Sequence, residues 1–481
     1  MSDERPRIVL LIGTGWGVRT FLQTDVLPAL AERARVSVLA AAGLCDGLRR
    51  QFPDLDPAPL AAFDPHRGRF GRFYERHNHH FLWLSRTGTR RINQQLQRRQ
   101  LRGRKLARWW ILRLLAVLGA SRRSLERLRR AERTAFFADY PEAARYASLL
   151  RRLAPRLVVS TVPHVAVELP PVLVAQDLGI ATAAWINSWD NLTSKGAYPA
   201  VYDHYLTWSE RMLEELRRYY PESAGRPLAA VGVPHFDWYR DEAMCWSRDE
   251  LCRRLDLDPG RPLVLYATAT PQLAPYEHRT VARLARDLAA LPERPQLLVR
   301  LHPADPGTRF EGLDLGPEVR LQAPGTGAGA LHRFCPTAEE NRRLVSTIRH
   351  ADVVVNLAST ITLEAAICDR PTINVAYDLG PEPRWGRIIE RYYDTFDHYR
   401  TVVDLGAVRL ARSPRALVAA LQHYLAHPES ERAARRRLVE LWCGEVDGGA
   451  GRRLARAIFA AAAVPAGNAA ELRSAIAVHG G

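Results

Sequence analysis

Two tandem doubly wound α/β domains facing a cleft, with a basic helical insertion in the first, are the fold that this sequence predicts. Three observations carry the prediction. Short apolar runs closed by small or polar residues recur along the chain, and the segments between them keep helical spacing, the pattern of a parallel, Rossmann-like sheet. The chain has 481 residues, 47% of them apolar, so two domains of about 200 residues or more are expected rather than one core. Positive charge is concentrated in one helical segment that interrupts the first domain.

The elements follow in order. RIVLLIG (Arg7 to Gly13) is a continuous apolar run ended by glycines, RTFLQTDVLPALAER has helical spacing, and VSVLAA (Val36 to Ala41) is the next strand, which makes a βαβ opening. After the insertion, RLVVST (Arg156 to Thr161), the helix VELPPVLVAQDLG, ATAAWIN (Ala181 to Asn187) and HYLTWS (His204 to Ser209) continue the rhythm, and LAAVGVPHFDWY (Leu228 to Tyr239) closes the half. The second half restarts with PLVLYATAT (Pro262 to Thr270), then QLLVRLHP (Gln296 to Pro303), DVVVN (Asp352 to Asn356) and TINVAY (Thr372 to Tyr377). The reading is therefore 1–240 for the N-terminal domain, with the insertion over about 66–133, 241–460 for the C-terminal domain, and 461–481 for a tail. The boundary is expected between Tyr239 and Arg261, and APGTGAGA (Ala323 to Ala330) reads as a flexible loop.

From His66 to Arg133 there are 20 Arg or Lys against 3 Asp or Glu, a surplus as large as the whole chain's net charge of +16. Within that segment RWWILRLLAVLGA (Arg108 to Ala120) is too short, and too interrupted by Arg113, to span a bilayer, but it has the composition of an interfacial helix seeking anionic headgroups. An anionic membrane surface is thus an expected partner, with an ordinary helical subdomain of solvated arginines as the alternative. No nucleic-acid motif accompanies the charge, so nucleic acid is not an expected partner. The six cysteines form no C-x-x-C pair and have no His partner at zinc spacing, and the amino terminus lacks the basic start of a signal peptide. A cytoplasmic chain with reduced thiols is expected, peripheral at the inner face of the membrane.

Four strand ends carry candidate chemistry. In NLASTITLEAAICDRPTINVAYD (Asn356 to Asp378), Ser359 and Thr360 open a helix at the end of a buried strand, where helix amides and hydroxyls could cradle a phosphate. VRLHP places Arg300 and His302 at another strand end, and YATATPQ places Thr268 and Thr270 at a third. NSWDNLTSKG (Asn187 to Gly196) follows a strand of the first domain. Its Asp190 is a candidate general base, with Trp189, Asn191 and Lys195 beside it as acceptor or phosphate contacts. Lys195 is one of only two lysines, with Lys105, in a chain that otherwise uses arginine, which suggests a compact ammonium kept for a phosphate. The opening loop GTGWGVR, with Gly15 and Arg19, lacks the final glycine of a dinucleotide fingerprint, so it is read as an acceptor-side loop with Arg19 as an anion contact, and no dinucleotide cofactor is expected.

These residues carry a resemblance. ASTITLEAAICDRPTINV is similar to the C-domain motif of GT-B glycosyltransferases and of sugar-nucleotide 2-epimerases. VRLHPAD resembles the strand-end LHP of CDP-glycerol glycerophosphotransferases and bacterial polysialyltransferases, and DGGAGRRLARAI (Asp447 to Ile458) resembles a helix near the end of many such chains. NLAST stands where the glycerophosphotransferases usually show TDYSS, and Asp369 stands where glycine often follows the E-A-A helix. The resemblance implies a nucleotide-diphosphate-sugar substrate bound by the second domain at Thr268, Thr270, Arg300, His302, Ser359 and Thr360, with Glu364 holding the ribose hydroxyls. It implies His302 stabilising the leaving group, no metal or other cofactor, and transfer to an acceptor on the first domain, across a cleft closed by hinge motion. The basic insertion suggests an acceptor that is lipid-linked or a cell-surface polysaccharide intermediate. A CDP-glycerol-type glycerophosphotransferase, a sugar-nucleotide 2-epimerase and a non-catalytic membrane-surface scaffold are the alternatives.

Overall fold

The computed structural model describes residues 5–325, 329 and 333–463. Two wholly parallel sheets organise it. The first contains β1 (Arg7–Ile12), β2 (Arg35–Ala41), β3 (Ala58–Leu60), β4 (Leu157–Ser160), β5 (Ala181–Trp185), β6 (His204–Thr207) and β7 (Leu228–Ala230), in the order β3-β2-β1-β4-β5-β6-β7. The second contains β8 (Leu263–Ala267), β9 (Gln296–Arg300), β10 (Val319–Gln322), β11 (Val353–Asn356), β12 (Thr372–Val375) and β13 (Arg409–Ala411), in the order β10-β9-β8-β11-β12-β13. The predicted fold class of two Rossmann-like domains is what the chain forms. Helices cover both faces of a doubly wound sheet, so its central strands have no solvent side. Ile8 through Ile12 are all 0% exposed, as are Val353, Val354 and Val355.

Three strands lie outside the sequence reading: β3 (APL), β10 (VRLQ) and β13 (RLA). Each is an edge strand, paired on one side only and partly exposed, so it carries no apolar run.

The chain divides into two compact units, one reaching Gly232 and resuming at Gly451, the other running from Val233 to Ala450. The division precedes the expected one because Pro234–Tyr239, read as the close of the first half, is a 3₁₀ helix of the second unit. The closing helix Ala450–Ala463, read as C-terminal domain, returns to the first unit from Gly451 onward. Arg452 pairs with Asp25 at 3.5 Å, and the Arg453 guanidinium donates to the Val231 carbonyl at 3.2 Å. Most of the predicted tail, and part of the loop Ala323 to Ala330, lie outside the described residues.

The insertion is four helices, Gly68–Leu84, Gly88–Gln100, Gly103–Gly119 and Arg122–Asp139. The first and fourth pack on each other around a buried pair, His77 Nδ1 and Glu132 Oε1 at 2.8 Å, and an aromatic cluster of Phe63, Phe70, Phe136 and Tyr140 closes their base.

Candidate functional site

In each sheet the strand order reverses beside the first strand, between β1 and β4 and between β8 and β11, and crossovers leave toward opposite faces. The crevice at the carboxyl ends of those strands is where such sheets bind ligands.

In the first unit that place holds a residue with no sequence signal of its own. Glu168, 0% exposed, accepts from the Gly13 N–H at 2.6 Å, the Val162 N–H at 3.0 Å and the Ser160 hydroxyl at 2.6 Å, with Thr161 Oγ1 at 3.1 Å. Burial pushes its carboxyl up to about 7, against the pull of those hydrogen bonds. The glycines of GTGWG are explained by this packing. A Cβ on Gly13 would stand 2.8 Å from Glu168 Oε1, and one on Gly17 would stand 2.5 Å from Thr161 Oγ1. Gly15 is buried in the turn Gly15–Gly17, and Arg19 is buried on the turn Val18–Leu22.

The second polar group of this unit follows β5. Asp190 accepts from the Ser188 hydroxyl at 2.5 Å and the Ser194 hydroxyl at 2.8 Å, which fixes its carboxylate at the mouth of the short helix Asn191–Ser194. Asn191 Nδ2 donates to Asn187 Oδ1 at 2.7 Å and lies 3.4 Å from His164 Nδ1. Burial and the Lys195 ammonium push the His164 imidazole down to about 3, although Asp190 pulls the other way, so it is neutral and a weak base. Trp189 is 1% exposed and packs as core. His164, after β4, joins Asp190, Asn191 and Lys195 in one cluster, and sequence reading missed it.

This loop is held by the insertion. Arg90, 1% exposed, donates all five of its N–H groups: to the carbonyls of Lys195 (2.7 Å), Leu192 (2.7 Å) and Ser85 (2.7 Å), the Ser85 hydroxyl (2.6 Å) and the Tyr220 hydroxyl (3.0 Å). Thr87 Oγ1 donates to the Thr193 carbonyl at 2.6 Å, Asn93 Nδ2 donates to the Ser194 carbonyl at 3.3 Å, and Asn78 Oδ1 accepts from the Ala197 N–H at 3.1 Å. One arginine of the basic run is therefore neither solvated nor at a membrane, and its neighbours form a brace.

In the second unit, His302 stands at the end of β9. Its Nδ1 accepts the Ala304 N–H at 3.0 Å, which leaves the proton on Nε2, and burial together with Arg309 pushes it down to about 4 despite Asp305. The imidazole is a neutral donor with a fixed tautomer. Thr268, at the end of β8, accepts the His302 N–H at 2.9 Å, and Thr270 accepts the Leu273 and Ala274 amides on its carbonyl. Arg300 is turned away toward β10, donating to Gln322 and to the Pro324 carbonyl. Three residues outside the sequence reading lock these loops together. Arg309 donates to Asp305 at 2.7 Å and to Glu277 at 3.1 Å, while Glu277 accepts the Ala269 N–H at 2.9 Å.

At the end of β11, Ala358 adopts a left-handed φ of 44°, a conformation that costs a Cβ-bearing residue energy and is kept where the surroundings enforce it. The enforcing network is buried: Asn356 Oδ1 accepts from the Ser359 N–H at 3.2 Å and from Asn374 Nδ2 at 3.0 Å, and Thr362 bonds Asn356 and Tyr399. The amides of Thr362 and Leu363 are taken by the carbonyls of Ser359 and Thr360; Thr362 is 1% exposed and belongs to the core, while Ser359 and Thr360 are half-buried. Glu364 is 6% exposed, and its Oε1 accepts from the Tyr239 hydroxyl at 2.9 Å. Asp369 takes a left-handed φ of 54° just past the helix end, where glycine is usual, and is held there by Arg432 and Arg435 at 2.6 and 2.8 Å. Among the described residues no cluster of three or more His, Cys, Asp or Glu is arranged to hold a metal ion.

No family model matches the sequence, and no curated protein does. Solved structures do match, and over nearly the whole chain. A candidate UDP-N-acetylglucosamine 2-epimerase of Listeria monocytogenes aligns with a TM-score of 0.54 at 10% identity, covering 94% of this chain and 96% of its own. The fold is GT-B. The MnaA protein of S. aureus, solved with UDP, gives a TM-score of 0.52 at 10% identity over 94% of this chain and 96% of its own. A glycosyltransferase of Rickettsia africae gives 0.50 at 9% identity over 95% and 99%. The strand order within each sheet sets its switch point at the position just described.

Proposed function

We propose that the chain is a glycosyltransferase that moves a sugar from a nucleotide diphosphate donor, bound by the second unit, to an acceptor bound by the first. His302 is the observation that carries this reading, because a neutral imidazole with Nδ1 occupied presents one Nε2–H to a diphosphate oxygen without needing to be protonated. The Ser359–Thr360 turn at the neighbouring switch point supplies hydroxyls to the same anion, and Glu364 accepts the ribose hydroxyls. In the transfer, the bond from the sugar's anomeric carbon to the diphosphate oxygen breaks, the acceptor oxygen takes its place, and the acceptor's proton passes to Asp190. The nucleoside diphosphate leaves as the anion, and His302 stabilises it by donating its Nε2–H to a diphosphate oxygen. These groups supply the charge stabilisation themselves, so transfer is proposed to be metal-independent, with an acceptor that is a surface-polysaccharide or lipid-linked intermediate.

The solved neighbour carrying UDP supports a nucleoside diphosphate as the bound species, and the braced loop Asn187–Gly196 supports an acceptor subsite, which an epimerase does not need. The experiment is a thermal-shift screen of UDP, GDP, CDP and CDP-glycerol, followed by turnover assays. Stabilisation by a nucleoside diphosphate, with turnover falling about 100- to 1,000-fold in His302→Ala and partly regained in His302→Gln, supports the reading. Stabilisation by CDP-glycerol with CMP released would make it a glycerophosphotransferase, sugar-nucleotide conversion without acceptor an epimerase, and no nucleotide binding a scaffold.

A further inference from the structure

We propose that the third insertion helix, Gly103–Gly119, is an interfacial anchor that lies flat on an anionic bilayer. Eleven large apolar side chains are exposed among the described residues, and six of them are on this one helix: Trp110 (49%), Ile111 (59%), Leu114 (57%), Leu115 (36%), Val117 (45%) and Leu118 (76%). Positions 110, 114 and 118, with 111 and 115 alongside, fall on one face at helical spacing. Only Ala116 of the helix is buried, and the opposite face rests on the first insertion helix, with Trp109 edge-on to His79 at 5.8 Å. A continuous apolar face of this size on one helix marks an interaction surface rather than scattered exposure.

Charge identifies the occupant. No Asp or Glu occurs between Glu75 and Glu126. Arg102, Arg104 and Lys105 stand exposed at the start of the helix, and Arg122 and Arg123 just past its end, so the apolar face is bracketed by cations at headgroup height. A second copy docking face to face would bring two such brackets together, like charge on like, whereas an anionic surface complements both. The helix is not long and apolar enough to cross a membrane, which leaves it lying in the interface.

The test uses the full chain in co-sedimentation with vesicles of phosphatidylcholine, alone or with about 30% phosphatidylglycerol. Binding to the anionic vesicles at about 0.1 M salt is expected, at least about tenfold weaker on neutral vesicles and in about 0.5 M salt. The double variant Leu114→Ser, Leu118→Ser should bind anionic vesicles at least about tenfold more weakly. The variant Arg104→Gln, Lys105→Gln, Arg122→Gln, Arg123→Gln should lose its preference for anionic over neutral lipid. An unchanged melting temperature in both shows that the surface, not the fold, was altered. Binding indifferent to lipid charge, no binding, or full retention by the serine variant overturns the proposal. So does a wild-type dimer in sedimentation velocity that the serine variant abolishes, which would assign the face to a second copy.

Discussion

Glu168→Gln tests whether the first unit carries a proton at its switch point. Burial raises the Glu168 carboxyl from an ordinary 4.5 to about 7, a preference for the neutral form of about 3 kcal/mol. The hydrogen bonds accommodate that proton: Thr161 Oγ1 donates to the Leu11 carbonyl at 2.7 Å, so its lone pair can accept from a protonated Glu168 Oε1 at 3.1 Å. Because the folded value lies above the unfolded one, this contribution is fully present below about pH 4.5, declines as pH rises through 7, and is absent above it. Between about pH 5 and pH 8 the wild-type protein should therefore lose about 2 to 3 kcal/mol from this group alone, or about 5 to 10 °C in melting temperature for a unit of this size. Glutamine is neutral throughout and removes that slope, but its amide must face a backbone N–H at Gly13 or Val162, at a pH-independent cost of about 1 to 3 kcal/mol. Thermal unfolding of both proteins across this range should give curves that converge or cross as pH rises. Glu277, also raised to about 7, titrates in both proteins and cancels in the comparison. Parallel curves would refute the reasoning and mean that Glu168 is ionised in the fold.

Asp190→Asn keeps both serine hydrogen bonds yet cannot take a proton, so turnover should fall by about 100-fold or more with donor affinity unchanged, measured by nucleotide release and calorimetry. Glu364→Ala should weaken nucleoside diphosphate binding by about tenfold to a hundredfold if the carboxylate takes the ribose hydroxyls, since such charge-assisted bonds are worth about 1.5 to 3 kcal/mol each. If Glu364 serves only the Tyr239 hydroxyl, affinity should hold and the melting temperature should drop, as it would in Tyr239→Phe. Arg90→Met leaves the Leu192 carbonyl without its arginine donor and the Lys195 carbonyl with only the Tyr220 hydroxyl at 3.4 Å, which should cost about 3 kcal/mol or more and lower acceptor turnover while donor affinity in the folded fraction stays constant.

What was legible in the sequence was whatever a single segment encodes. The central strands announce themselves because a strand buried on both faces must be apolar throughout, and Asn187 to Gly196 announced itself as a polar loop closing such a strand. Distant partners left no such mark. Glu168 sits in VELPPV, where an acid before a helical Pro-Pro pair reads as a first-turn residue, and only Gly13, 155 positions earlier, shows why it is buried. Arg90 is one of many arginines in its run, and its role depends on carbonyls more than 100 positions away. The turn that carries Ser359 and Thr360 is likewise shaped by partners beyond its own segment: Thr362 completes a network with Asn356, Asn374 and Tyr399.

The two buried glutamates also bear on where an anion can bind. In a Rossmann-like domain the amides after the first strand are the usual phosphate donors. In the first unit the Gly13 amide already bonds an internal carboxylate, Glu168, whose atoms occupy the space a Cβ or a phosphate oxygen would need. A pyrophosphate placed there would have to displace a fully buried side chain from all of its partners, which argues against dinucleotide binding by GTGWG more strongly than its missing third glycine does. In the second unit the Ala269 amide after β8 is likewise taken, by Glu277, itself held by Arg309. With the Gly13 and Ala269 amides occupied from within, the diphosphate contacts proposed for the second unit fall to the Ser359 hydroxyl and to His302 Nε2–H. The diphosphate is then expected over the ends of β9 and β11, and His302→Ala combined with Ser359→Ala should reduce nucleoside diphosphate affinity further than either change alone, whereas substitutions in GTGWG should lower stability and leave that affinity intact.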